Sequence, residues 1–178
     1  MGLSFTKRRR SLARPDGPRP GDILLFSHAT RLGRIIPWFT GSRYYHIALY
    51  EGHGMVLEAR PGGVVRRDIT KEKNQVFRVI PMTEGAGQLA LDCARARLGL
   101  NYDIVGVCWI ILRHYFPRLR IPFENHNCYS CGEFVLDSWR RAGLDLLPGA
   151  DATTVIPADF QPFLPPDSHD ETLARNPH

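Results

Sequence analysis

The sequence predicts an α+β fold, a small antiparallel sheet with helices packed on it, and three observations carry that expectation. Two β-rich runs, Tyr44–Tyr50 and Met55–Ala59, flank the Gly-rich tetrapeptide Glu51-Gly52-His53-Gly54 as the arms of a hairpin flank its turn. Residues 75–80 (Gln-Val-Phe-Arg-Val-Ile) alternate as a further strand that Pro81 stops. Residues 86–98 and the stretch from Cys131 to Gly143 instead place apolar side chains at helical spacing.

The 178 residues are 43% hydrophobic and 23% charged, which suits one domain with a core and excludes a coiled coil, a collagen and a largely disordered chain. Lys plus Arg number 23 against 18 Asp plus Glu, but six of the bases and one acid fall in the first 20 residues, so the rest is charge-balanced. The basic balance belongs to an arm, residues 1–19, and the body offers no electrostatic case for a nucleic-acid groove. The arm is read as flexible, with at most a weak contact to a membrane or another anion. It lacks the apolar run of a signal peptide, and the longest apolar stretch, Ile104–Leu112, is far short of the roughly 20 residues that span a bilayer. A cytoplasmic protein is therefore expected, with one domain over residues 20–163 and a flexible tail over 164–178.

The elements follow in order. Pro20-Gly21 marks a turn, and Asp22–Phe26 is an apolar run of strand length. Gly33 and Pro37 limit residues 29–40 to a short helix at best. After the hairpin, Pro61-Gly62-Gly63 turns the chain into a strand from Val64 to Arg66. In the segment 86–98, Leu89, Ala90, Cys93 and Ala94 supply the expected apolar face, with Gly99 as C-terminal cap. Cys108 lies in the apolar run, and residues 113–127 read as an aromatic loop able to overhang a site. Ser130 and Glu133 form a capping box, which makes Ser130 the N-cap and Cys131 the first residue of a helix that Gly143 ends. From Leu144 on, the chain reads as loop.

A cysteine is nucleophilic as thiolate, and a helix N-terminus stabilises that anion through free N–H groups and the macrodipole. Cys131 has that place; Cys128 does not. His46 opens one hairpin strand as a candidate base, and Glu58 lies on the other. An odd-numbered loop centred on Gly52 sets the two directly opposite on one face, whereas a two-residue loop shifts the register by one and turns Glu58 away. Bland readings stand beside these: Cys131 as a small core residue, His46 as a structural histidine, Glu58 as an edge charge. His126 with Cys128 and Cys131 also suggests zinc or a redox pair, but no second pair of ligands is present and no βαβ unit precedes it, so neither metal nor cofactor is expected.

The order His46, Glu58, Cys131 resembles that of the circularly permuted papain-like cysteine hydrolases of the NlpC type, including the YiiX-like group. The matching pieces are Arg19–Phe26, Tyr44–Tyr50, Val56–Ala59 with Pro61–Val64, Leu98-Gly99 with Tyr102-Asp103, and Cys131–Val135. They cover about residues 19–160 in the expected order, and the combination is more specific than any single piece. Gly132 departs from the serine that commonly follows the cysteine in related sequences.

The resemblance implies a small antiparallel sheet or partial barrel packed with helices. It implies Cys131 as nucleophile, His46 as general base and then acid, and Glu58 as the group that orients His46. Tyr45 and Ser130 are the neighbouring candidates for oxyanion or substrate contact. The implied reaction is cleavage of an amide, peptide or isopeptide bond through a thioester acyl-enzyme. A lipid acyltransferase or lipase resembling the lecithin retinol acyltransferase group is the alternative, acting on a lipid ester, and a non-catalytic binding module is a third class. Paired with His46, the Cys131 thiolate is expected to persist well below the pKa of about 8.5 of a free cysteine.

Overall fold

A computed structural model of the chain describes residues 17–28, 42–71, 76–104 and 128–166. The basic arm through residue 16, the segment 29–41, the apolar run with Cys108, the aromatic loop and the tail from residue 167 lie outside the described residues. Strands β1 (Ile23–His28), β2 (His46–Gly52), β3 (Met55–Arg60), β4 (Gly63–Asp68) and β5 (Val76–Ile80) form one antiparallel sheet in the order β4-β3-β2-β1-β5. With helices α1 (Glu84–Arg95) and α2 (Cys131–Arg141), the architecture is α+β. Among the described residues no helix is long and apolar enough to cross a membrane.

The central strands are apolar on both faces because both faces are covered. Ile23, Leu25, Ile47, Leu49, Leu57 and Ala59 meet Ala90, Leu91 and Ala94 of α1 and Phe134, Val135 and Trp139 of α2 in the larger core. On the other face Leu24, Phe26, Ala48, Tyr50, Val56 and Phe77 form a second cluster. Strand β1 contributes to both, which is why Ile23–Phe26 is a continuous apolar run rather than an alternating one.

The expected face of α1 needs correction. Its buried residues are Gly87, Ala90, Leu91 and Ala94, whereas Leu89 is 55% exposed and Cys93 only half buried. Leu89 stands two residues from Leu91, about 200° round the helix, and so faces away from the core. The helix also ends at Arg95, with Ala96 as its C-cap, and Gly99 closes the turn that follows. Residues beyond Leu144 are not plain loop: two 3₁₀ turns, Ala152–Thr154 and Pro157–Phe163, bring Val155 and Phe160 into the core beside α2. A short parallel pair, β6 (Asn101–Tyr102) with β7 (Cys128–Tyr129), escaped the sequence reading, since two residues carry no periodicity.

Candidate active site

Helix α2 begins where the capping box places it. The Ser130 hydroxyl accepts a hydrogen bond from the Glu133 backbone N–H at 3.2 Å, and the Glu133 carboxylate accepts one from the Ser130 N–H at 3.4 Å. Ser130 is thus buried and engaged as a helix cap, and Cys131 is the first helical residue, its own N–H in the first turn where no intrahelical acceptor exists.

The hairpin that carries His46 and Glu58 closes differently from the odd-loop expectation. Gly52 pairs with Met55 across the two-residue turn His53-Gly54, whose φ angles of 51° and 75° are those of a type I′ turn. That turn alone would send Glu58 to the opposite face from His46. One extra residue in β2, Glu51, restores the face: the register shifts between Gly52 and Tyr50, after which Tyr50 pairs with Val56 and Leu49 with Leu57. Glu51 is held in this bulge by Arg66, at 2.5 and 2.8 Å, and by Arg95 of α1 at 2.7 Å.

Continued along the strands, this register sets Ala48 opposite Glu58, so His46 and Glu58 are diagonal neighbours rather than a direct pair. A diagonal offset remains within reach of long side chains. His46 Nε2 lies 2.7 Å from Glu58 Oε2, and the Cys131 side chain is near enough to the His46 ring to favour its charged form. With Nε2 occupied by the carboxylate, Nδ1 is the nitrogen left for the thiol. The ring is 15% exposed and the Glu58 side chain 1%.

The electrostatics follow from these contacts. Burial works against a charged His46, but the hydrogen bonds to Cys131 and Glu58, and the negative charge of both, outweigh it and raise the pKa from 6.5 to about 9. Burial likewise works against a Glu58 carboxylate, yet His46 and then Arg67 bring its pKa down from 4.5 to about 2. The site holds a cation and an anion side by side at neutral pH.

Tyr45 stacks beside the His46 ring, with centroids 6.2 Å apart and planes at 28°. Cys128 sits half buried on β7. His126 lies outside the described residues, and among the described ones no three His, Cys, Asp or Glu side chains gather as a metal site.

Two arginines were missed. Arg67 donates to both Glu58 oxygens, from Nη2 to Oε2 at 2.8 Å and from Nε to Oε1. The alternation of β4 was the available signal, because Val65 faces Glu58 and residue 67 falls on the same side. Arg97, buried after α1, donates to the Tyr129 hydroxyl at 3.0 Å and to the Cys93 carbonyl and pairs with Asp137 at 2.9 Å, tying α1, β7 and α2 together. No family model matches this chain, and no curated protein matches it in sequence.

Proposed function

We propose that the chain is a thiol hydrolase of the circularly permuted papain-like, NlpC type, cleaving an amide, peptide or isopeptide bond. The observation that carries this reading is the His46 ring held between the Cys131 thiol and the buried Glu58 carboxylate. His46 already holds the thiol proton, and the Cys131 sulfur attacks the acyl carbon as thiolate. The Cys131 N–H at the start of α2 meets the oxyanion. Collapse of the tetrahedral intermediate breaks the C–N bond as the His46 imidazolium gives its proton to the leaving amine. In the second half His46, now neutral, takes a proton from water, whose oxygen attacks the thioester. The acid departs, and the sulfur leaves as thiolate with the proton held on His46. Glu58 holds the ring in one orientation and balances its charge throughout.

The test is site-resolved labelling with iodoacetamide from pH 4 to 9, in wild type and His46→Ala, followed by a panel of amides and esters. Cys131 labelling fast at pH 5–6, and slowing sharply without His46, is the expected result. Labelling of Cys131 no faster than that of Cys128 overturns the reading and leaves a binding module.

A further inference from the structure

We propose that Arg67 is a positioning residue of this site, acting through Glu58 to keep its carboxylate ionised and aimed at His46; the inference rests on the thiol hydrolase reading. Three adjacent strands supply the row: His46 on β2, Glu58 on β3 and Arg67 on β4. The register pairs Arg67 with Val56 and Glu58 with Val65, so Arg67 stands diagonal to Glu58 on one side as His46 does on the other. Its guanidinium forks onto both oxygens, and Oε2 is shared with His46 Nε2. The fork fixes the plane of the carboxylate, which a single bond from His46 does not. Arg67 is itself held: its side chain is 12% exposed and its guanidinium lies 5.6 Å from the centroid of Phe26, the residue paired with His46 across β1 and β2.

The need for a second cation arises from the catalytic cycle. Each turnover passes through a state in which His46 is neutral, and a carboxylate buried like Glu58 is then left without its partner charge. In that state an unassisted Glu58 takes up a proton and loses its grip on the ring. Arg67 supplies a charge that does not titrate. Among the described residues the other charged group near Glu58 is Arg60, on its own strand, with Nη1 3.6 Å from Oε1; it is 47% exposed and beyond hydrogen-bond distance, so it substitutes poorly.

The experiment measures the pH profile of Cys131 alkylation by iodoacetamide in wild type, His46→Ala, Arg67→Met, Arg67→Lys, Glu58→Gln and the double variant Glu58→Gln/Arg67→Met, with thermal unfolding recorded for each. The expected result for Arg67→Met is an acid limb moved to higher pH by about one unit. Arg67→Lys, which keeps the charge and loses the fork, is expected to restore the limb to within a few tenths of a unit while labelling more slowly, and it serves alone should Arg67→Met not fold. In the Glu58→Gln background, removing Arg67 is expected to shift the limb no further. An unmoved limb in Arg67→Met, a Lys variant indistinguishable from wild type in rate, or an equal shift in both backgrounds overturns the positioning role while leaving the hydrolase reading intact. Wild-type labelling that does not depend on His46 overturns both.

Discussion

The backbone carbonyl of Val155 closes over Gly132 so tightly that a Cβ on residue 132 would clash with its oxygen and lie 2.8 Å from its carbon. Gly132 occupies the second position of α2 with no unusual φ, so the glycine answers to contact rather than to backbone conformation. A helix gains about 0.5–1 kcal/mol when glycine becomes alanine, but forcing atoms into a closed contact costs about 1–3 kcal/mol. The steric term wins because the neighbour is backbone. Gly132→Ala and Gly132→Ser are both expected to lower stability by about 1–2 kcal/mol. Equilibrium urea unfolding checks this, and a stabilised alanine variant would show that the segment around Val155 yields freely.

The opposed shifts of His46 and Glu58 set a pH window for stability. The raised pKa of His46 contributes stability in full below 6.5, and that contribution is lost as pH rises through about 9. The lowered pKa of Glu58 contributes above 4.5 and is lost as pH falls toward about 2. The two shifts are therefore stabilising together between about pH 4.5 and 6.5, that of His46 resting on Cys131 and then Glu58, and that of Glu58 on His46 and then Arg67. His46→Ala is expected to flatten the alkaline slope between pH 6.5 and 9. Urea midpoints from pH 3 to 9 read it directly, and an alkaline slope that survives in the variant would assign the effect to other groups.

Local spacing made half of this site legible. A capping box needs only Ser130 and Glu133 three residues apart, so the start of α2 and the place of Cys131 followed from four residues of sequence. The side of the sheet on which Glu58 falls did not, because it depends on a bulge at Glu51 held by Arg66 and by Arg95, 44 residues away. Arg67 and Arg97 were illegible for a related reason. An arginine reads as solvated by default, and only the register of β4 on β3, or the meeting of α1, β7 and α2, turns it inward.

Arg97 carries the third expectation. It donates to three acceptors on three segments, and deleting one partner of a buried ion pair commonly costs about 3–5 kcal/mol. Asp137 is partly exposed and keeps Arg141 at 3.0 Å, which softens the loss. Arg97→Met is therefore expected to cost about 2–3 kcal/mol in urea unfolding. Loss of under 0.5 kcal/mol would place the residue among ordinary surface arginines.

Ser130 and Glu133 separate the cap of α2 from its charge. Ser130→Ala removes the acceptor for the Glu133 N–H and is expected to cost about 1 kcal/mol at every pH. Glu133 behaves differently. Burial raises its pKa from 4.5 to about 7, helped by Asp103, Asp137 and Asp151 and opposed by the hydrogen bond from Ser130. A raised carboxylate pKa means that ionisation is unfavourable in the folded state, so its cost is absent below 4.5, grows with pH and is complete above about 7. The helix dipole favours an anion here by about 0.3–1 kcal/mol, less than burial and three carboxylates take away. Glutamine completes a capping box as glutamate does. Glu133→Gln is therefore expected to match wild type at pH 4 and to exceed it by about 1–2 kcal/mol at pH 8, in urea unfolding at both pH values. A variant weaker than wild type at pH 8 would mean that the dipole, and not the burial, governs the first turn of α2.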